Sequence, residues 1–138
     1  MTYQEFQTAF SIRLNPQQEA AVRQTEGPVL LLAVPGSGKT TVLVTRLGYL
    51  LYCKGAAPEE LLTVTYTVAA AGDMKRRFQA LFGERFTGRL TFRTINGLCA
   101  SIIRFYARRR GSTPFALADN EGRLNAAVRD LLSRTGGA

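Results

Sequence analysis

Residues 28–41 read PVLLLAVPGSGKTT, and this stretch decides the fold class. Gly27 and Pro28 break the chain before it, and the apolar run 29–33 predicts a strand buried on both faces, as in a parallel sheet. A glycine-rich loop, residues 33–40, follows that strand, and a helix is predicted from residue 39 to about residue 51. A strand, a glycine-rich loop and a helix in this order are typical of a phosphate-binding loop.

The residue types of this loop suit a nucleotide. Glycines let backbone N–H groups turn inward around a pyrophosphate, and the next helix points its positive N-terminal end at the same phosphates. Lys39 is expected to reach the β- and γ-phosphates, and the Thr40 hydroxyl to ligate Mg²⁺, which makes these two the candidate catalytic residues. A chance glycine-rich turn is the alternative, and the flanking elements disfavour it. The predicted nucleotide-binding residues of the loop are Ala33, Val34, Pro35, Gly36, Ser37, Gly38, Lys39, Thr40 and Thr41.

The rest of the chain alternates between helical and strand patterns. Apolar spacing predicts a short first helix over residues 3–10, and Asn15 followed by Pro16 predicts the cap and first residue of a second helix, which runs to about residue 24. Strands are predicted at 61–66 and 90–93, and helices through 74–82, at 98–106 and from a cap at Asp119 to 132. This alternation favours an α/β fold with a parallel sheet and helices on both faces.

Composition and charge narrow the class of protein. The chain has 138 residues, of which 46% are hydrophobic and 20% charged, as expected of one globular domain rather than a disordered segment. Its net charge is +8, and arginine supplies nearly all of the positive charge. Arginine makes forked contacts with phosphate oxygens and stacks on bases, so a nucleic acid is the favoured partner.

The sequence disfavours a membrane-spanning protein, a secreted protein and a zinc-binding protein. The longest apolar run, residues 28–35, is too short to span a bilayer, and the first residues lack the pattern of a secretory signal, so a cytoplasmic protein that binds no membrane is expected. Cys53 and Cys99 occur without a Cys-x-x-Cys pair and without any histidine. We therefore expect buried free thiols in a reducing compartment rather than a zinc site.

Three further segments bear on the function, one before the loop and two after it. They read LNPQQEAAV at 14–22, TVTYTVAAA at 63–71 and FRTINGLC at 92–99. Together with the loop, they resemble motifs of the first RecA-like domain of superfamily 1 DNA helicases of the UvrD/Rep type. In that family the loop commonly begins with alanine, as it does here at Ala33, although the general pattern has glycine.

The resemblance assigns a role to Gln18 in the first of these segments. It stands where the family's Q motif has the glutamine that reads adenine. A carboxamide offers one donor and one acceptor, which match the N6 and N7 edge of adenine. A solvated glutamine on a helix face is the alternative, and the nearby loop disfavours it.

The other two segments resemble those that lie against single-stranded DNA in the family, and they depart from the usual residues. Val68 and Ala69 replace Asn and Lys, and Asn96 and Gly97 stand where His and Ser are usual. Tyr66 could stack on a base or could be a core aromatic, whereas Thr94 and Asn96 could instead cap a helix. The basic residues of 74–77 and 104–110 are expected mostly to face solvent. The candidate DNA-binding residues are Thr65, Tyr66, Thr67, Arg93, Thr94 and Asn96.

The resemblance implies a fold and an activity. The fold would be a RecA-like P-loop NTPase domain with three layers, with residues 1–112 as a partial ATP-binding domain and 113–138 as the start of an inserted helical subdomain. The chain would be the N-terminal part of an ATP-dependent DNA helicase that uses ATP and Mg²⁺ and moves 3′ to 5′ on single-stranded or partially duplex DNA. No apolar strand here ends in Asp-Glu, so we expect a truncated piece that does not itself hydrolyse ATP.

Two other functions remain open at this point. A small P-loop kinase would also carry the loop, although it would leave Gln18 unexplained and would need an arginine-bearing lid. A nucleic-acid-binding module without enzymatic activity would account for the charge but would leave the loop without a role.

Overall fold

A computed structural model of the chain describes residues 1–113 and 121–134. The chain divides into two compact units, Met1–Cys99 and Ala100–Ala138. The elements, in order, are α1 (Tyr3–Ala9), α2 (Pro16–Arg23), α3 (Lys39–Tyr52), a 3₁₀ turn (Pro58–Glu60), β1 (Leu62–Thr65), α4 (Val68–Phe82), β2 (Thr91–Thr94), α5 (Ile95–Arg109) and α6 (Glu121–Arg134).

The two strands form a parallel pair, as the alternation of helices and strands predicts. Leu62 pairs with Thr91 at one end and Thr65 with Thr94 at the other. Helix α4 connects the strands and packs against both of them, while α3 packs against α4 and α2. The α/β class and the parallel pairing are therefore confirmed, and both strands lie within a residue or two of their predicted positions.

The predicted strand at 29–33 is wrong. These residues have no regular secondary structure, and the side chains of Leu30 and Leu32 are each 83% exposed. A strand of a parallel sheet needs hydrogen-bonding neighbours and a cover on each face, and a run of apolar residues provides neither by itself. Among the described residues, β1 and β2 pair only with each other, so the run stays an extended, exposed segment in front of the loop.

Side chains cap α1, α2 and α4 of the first unit at their N-termini. Thr2 caps α1, Asn15 caps α2 with Pro16 in its first turn, and Thr67 caps α4, each by accepting a hydrogen bond from a backbone N–H of the first turn. The predicted cap and start of α2 are thus confirmed. Helix α3 differs, because its cap residue is Gly38, which has no side chain to offer.

Aromatic side chains make the core of the first unit. Phe6 and Phe82 are fully buried and stack at 5.9 Å between ring centroids, and Phe10 meets Phe82 edge-on at 4.8 Å. Phe78 and Tyr49 extend this cluster along α4 and α3. Such pairs add roughly 0.5–1.5 kcal/mol each beyond the burial of their area. The cluster therefore joins α1 and α4 to the helix that begins at the loop.

The described part of the second unit is helical. Arg110 lies over the ring of Tyr106 at 4.8 Å, and apolar side chains of α5 such as Ile102 and Phe105 are exposed. The predicted helix cap at Asp119 lies outside the described residues, and α6 covers the predicted last helix. No helix within residues 1–113 and 121–134 has the length and apolar character needed to cross a membrane.

The cysteines do not match the expectation of two buried thiols. Cys99 is exposed, and Cys53 is only partly buried. Cys99 lies in α5 at a position that no neighbouring element covers in the first unit, whereas the Cys53 thiol donates to the carbonyl of Thr2 at 3.7 Å. The apolar character of cysteine predicts burial on average, but the packing around each position decides it.

Candidate nucleotide site and DNA-binding edge

The glycine-rich loop forms a tight turn in front of α3. Gly36 and Gly38 have φ angles of 80° and 85°, a left-handed conformation that strains any residue with a Cβ. The backbone N–H and the hydroxyl of Ser37 both donate to the carbonyl of Val34, at 3.2 and 2.7 Å. The loop therefore closes on itself, with glycine on each side of Ser37.

The N-terminus of α3 can bind an anion. Its cap residue, Gly38, provides no side-chain acceptor for the first-turn N–H groups of Lys39, Thr40 and Thr41. Helices α1, α2 and α4 each have such an acceptor. These groups and the helix dipole favour negative charge at this point. No acidic residue lies in the first turn of α3 to compete for them.

The ammonium group of Lys39 folds back over the loop. Its Nζ donates to the carbonyls of Ala33 and Val34, each at 3.0 Å. These neutral acceptors hold the ammonium weakly compared with a phosphate oxygen, which carries charge. The side chain can therefore exchange two carbonyls for an anion within the same loop.

Gln18 lies directly against the loop. Its Nε2 donates to the carbonyl of Ser37 at 3.1 Å, and its Oε1 accepts from the backbone N–H of Asn15 at 3.1 Å. A cavity of about 330 Å³ opens beside it. Gln18 and Ser37 line this cavity, together with Gln17 and Lys39. The structure thus brings the predicted base-reading residue and the predicted phosphate loop to one cavity.

Arg46 joins the two helices beside this site, and the sequence pattern did not single it out. Its guanidinium donates to the carbonyl of Ala21 at 2.6 Å and joins the middle of α3 to α2. From the sequence alone, an arginine in the middle of a helix is expected to face solvent. The neighbouring residues do not indicate a partner 25 residues away. The contact anchors the helix that carries Gln18 to the helix that follows the loop.

The carboxyl ends of the two strands gather most of the candidate DNA-binding residues. Thr65 and Thr94 are register partners, and Tyr66 and Asn96 follow them closely. The Tyr66 side chain is 90% exposed, so the alternative that it is a core aromatic is wrong. An exposed ring at a strand end is free to stack on a planar partner.

The threonines at this edge also have structural roles. Thr67 Oγ1 accepts from the N–H of Ala70 and caps α4, and Thr94 Oγ1 accepts from the N–H of Gly97 at the start of α5. The Thr65 hydroxyl donates to the carbonyl of Thr67 at 2.9 Å. The capping alternative is therefore confirmed for Thr94, and Asn96 lies in the first turn of α5.

Arg93 lines a cavity that none of the other candidates for DNA contact lines. This cavity has a volume of about 540 Å³, and Lys75 of α4 and Arg89 line it as well. Adjacent residues of a strand point to opposite faces, so Arg93 and Thr94 do not share one. The structure groups the remaining five candidates at the carboxyl edge and puts Arg93 with a second set of cations.

Comparison with known proteins identifies the family of the chain. Residues 14–135 match the UvrD/REP helicase N-terminal domain. The chain belongs to this family. The ATP-dependent DNA helicase PcrA of Staphylococcus epidermidis is 43% identical over 98 residues, which are 71% of this chain and 13% of that protein. PcrA of Bacillus subtilis is 38% identical over 113 residues, which are 81% of this chain and 15% of that protein.

Membership of the UvrD/REP family confirms the resemblance found in the motifs. The match begins at residue 14, where the segment that carries Gln18 begins, and includes the loop and both segments that carry the candidate DNA-binding residues. The matched stretch covers only 13–15% of the length of these PcrA relatives.

Proposed function

We propose that the chain provides the ATP-binding loop and part of the single-stranded DNA surface of a DNA helicase. One observation carries this proposal: a helix N-terminus without a side-chain cap stands behind a glycine-rich loop, with Lys39 folded over it and Gln18 beside it. The relatives named as ATP-dependent DNA helicases support it. They also disfavour a small kinase or a binding module without enzymatic activity.

In this proposal each loop residue has a defined task. The backbone N–H groups of residues 36 and 38–41 surround the phosphates. The Lys39 ammonium leaves the carbonyls of Ala33 and Val34 to pair with phosphate oxygens. Gln18 reads the adenine edge from the adjoining cavity. The phosphate charge replaces neutral carbonyls as the partner of Lys39, which favours the bound state.

The donor set of the loop fits Mg²⁺ with phosphate oxygens as its other ligands. The Thr40 hydroxyl is the protein oxygen that would hold the ion, because the residue is in the first turn of α3, partly buried beside the loop. Mg²⁺ commonly takes few protein ligands and completes its shell with phosphate and water. The ion would neutralise phosphate charge when bound.

The DNA part of the proposal rests on the carboxyl edge of the strands. A strand of DNA would cross Tyr66, which stacks on a base, and would take hydrogen bonds from polar groups of Thr65, Thr67, Thr94 and Asn96. Single-stranded or partially duplex DNA is the proposed substrate, with movement from 3′ to 5′. The net charge of +8 supports a polyanionic partner.

The domain organisation belongs to the same proposal. Residues 1–112 would be part of a RecA-like domain with three layers, and 113–138 the start of a helical insertion. Hydrolysis would need an Asp-Glu pair at a strand end and a second RecA-like domain that closes on the nucleotide.

Calorimetry with Mg-ADP tests the proposed nucleotide site. Weak binding is expected for the natural sequence, and Lys39→Ala should abolish it because the ammonium is lost from the loop. Lys54→Ala is the matched control. It removes the same charge, and Lys54 lies just beyond the opposite end of the same helix. Equal affinity of the natural chain and Lys39→Ala would refute the assignment.

A further inference from the structure

The side chain of Gln18 connects two parts of the site through one amide group. Its Oε1 accepts from the N–H of Asn15 within α2, and its Nε2 donates to the Ser37 carbonyl in the loop. The contact is close, since a Cβ built on Gly38 would lie 2.9 Å from Gln18 Nε2. A residue with a side chain at position 38 would therefore push Gln18 away from the loop.

This hydrogen bond sets the orientation of one peptide group. The Ser37–Gly38 peptide is trans, so its C=O and N–H point in opposite directions. Holding the Ser37 carbonyl toward Gln18 therefore points the Gly38 N–H in the opposite direction, away from Gln18. Gly38 has no Cβ, so without this hydrogen bond the peptide could adopt a wider range of orientations.

The donor itself sits on a rigid support. Asn15 and Gln18 form a reciprocal capping box, in which Asn15 Oδ1 accepts from Gln18 N at 2.9 Å. Arg46 of α3 holds the carbonyl of Ala21, so α2 is fixed to the helix that follows the loop. The Gln18 amide can therefore transmit the position of α2 to the loop.

We propose that Gln18 is a positioning residue for phosphate as well as a reader of the base. By holding the Ser37 carbonyl, it keeps the Gly38 N–H in the orientation that binds a phosphate oxygen, and the affinity for the phosphate chain itself depends on Gln18. This inference rests on the proposed nucleotide site. The two tasks are compatible, because the amide nitrogen carries a second hydrogen and the oxygen a second lone pair for the base.

Inorganic tripolyphosphate tests the inference, because it has no base to read. Calorimetry in the presence of Mg²⁺ would compare the natural chain with Gln18→Met, which has similar length and no donor. We expect about five-fold weaker tripolyphosphate binding, the value of one ordinary hydrogen bond. Gln4→Met is the matched control, because Gln4 is an exposed glutamine of α1 and is not among the residues that line this cavity. It should bind as the natural chain does.

A second variant separates the loop contact from the helix cap. Gln18→Glu keeps an acceptor for the Asn15 N–H but cannot donate to Ser37, and Gln17→Glu controls for the added charge. Loss of tripolyphosphate affinity in Gln18→Glu beyond that in Gln17→Glu, with an unchanged melting temperature, supports the positioning role.

The possible failures are distinguishable. If the Gln18 variants bind ATP more weakly but tripolyphosphate as tightly as the natural chain does, Gln18 reads the base alone and the inference is overturned. If Lys39→Ala leaves the affinity of the natural chain for both ligands unchanged, the proposed nucleotide site fails as well.

Discussion

The ring of Phe82 packs directly on the backbone of Gly48. A Cβ at position 48 would lie against Cζ of Phe82 and 2.7 Å from its Cε1, which is too close for any side chain without a shift of the ring. Helix α3, which carries Gly48, begins at the phosphate loop, and α4, which carries Phe82, begins just after Tyr66. This contact therefore fixes the helix behind the loop against the helix behind the candidate DNA segment.

Gly48→Ala should destabilise the chain, because the ring of Phe82 is fully buried and cannot move aside without disturbing the aromatic core. Overpacking of this kind typically costs about 1–3 kcal/mol. Gly72→Ala is the control, since Gly72 is also inside a helix but its nearest neighbour is the Arg76 guanidinium at 3.6 Å. It should be neutral or stabilising by up to about 1 kcal/mol. Urea denaturation measures the free energy of unfolding of both variants. Equal values for Gly48→Ala and Gly72→Ala would contradict the packing of Phe82 on Gly48.

Tyr66→Ala should weaken binding of single-stranded DNA while leaving the fold intact. The ring is exposed, so its removal costs no core packing, and loss of one base stack is worth roughly 1–3 kcal/mol. Fluorescence anisotropy with a labelled oligonucleotide measures the affinity, which should be weak and should fall steeply with salt.

Tyr66→Phe provides the matched control for that experiment, because it keeps the ring and removes only the hydroxyl. Its affinity should stay close to that of the natural chain. A lower melting temperature of Tyr66→Ala with unchanged DNA affinity would instead assign the ring a structural role and remove it from the proposed DNA surface.

ATP turnover by the 138-residue chain should stay at background with or without DNA. Glu59 and Glu60 are adjacent acids, but they lie in a 3₁₀ turn, and Asp73 is paired with Arg76 and Arg77 at 3.3 and 2.7 Å. None is at the end of a strand, where a carboxylate could orient water beside the phosphates. A phosphate-release assay measures turnover. DNA-stimulated release that Lys39→Ala abolishes would contradict this expectation, and alanine at Asp119 or Glu121 would then test those acids.

Iodoacetamide should modify Cys99 before Cys53. Cys99 is exposed, whereas burial raises the pKa of the Cys53 thiol and leaves less of the reactive thiolate at a given pH. At about pH 8, peptide mass spectrometry should find Cys99 labelled first, and the rate at Cys53 should rise as the pH approaches its raised pKa. The difference should disappear in denaturant. Equal rates in the folded chain would contradict the described burial.

Much of the site was determined by the sequence alone, because its signals are local. Glycines at 36 and 38 are required by the left-handed backbone of the loop, and Asn15 before Pro16 specifies the start of α2 within a few residues. Apolar spacing identified the helix after the loop, and alternation of helices and strands predicted the parallel pairing. Each of these depends on neighbours a few positions apart.

The tertiary structure decided what depends on distant partners. The run at 29–33 has the composition of a strand but stays exposed, because strand formation requires a hydrogen-bonding edge that composition does not supply. Neither the contact of Gln18 with Ser37 nor that of Arg46 with Ala21 is visible in the sequence, since each joins residues 19 or 25 positions apart. Whether Tyr66 was buried or exposed likewise depended on what packs around the end of β1. No residue of 1–113 or 121–134 covers its ring, which is therefore open to solvent.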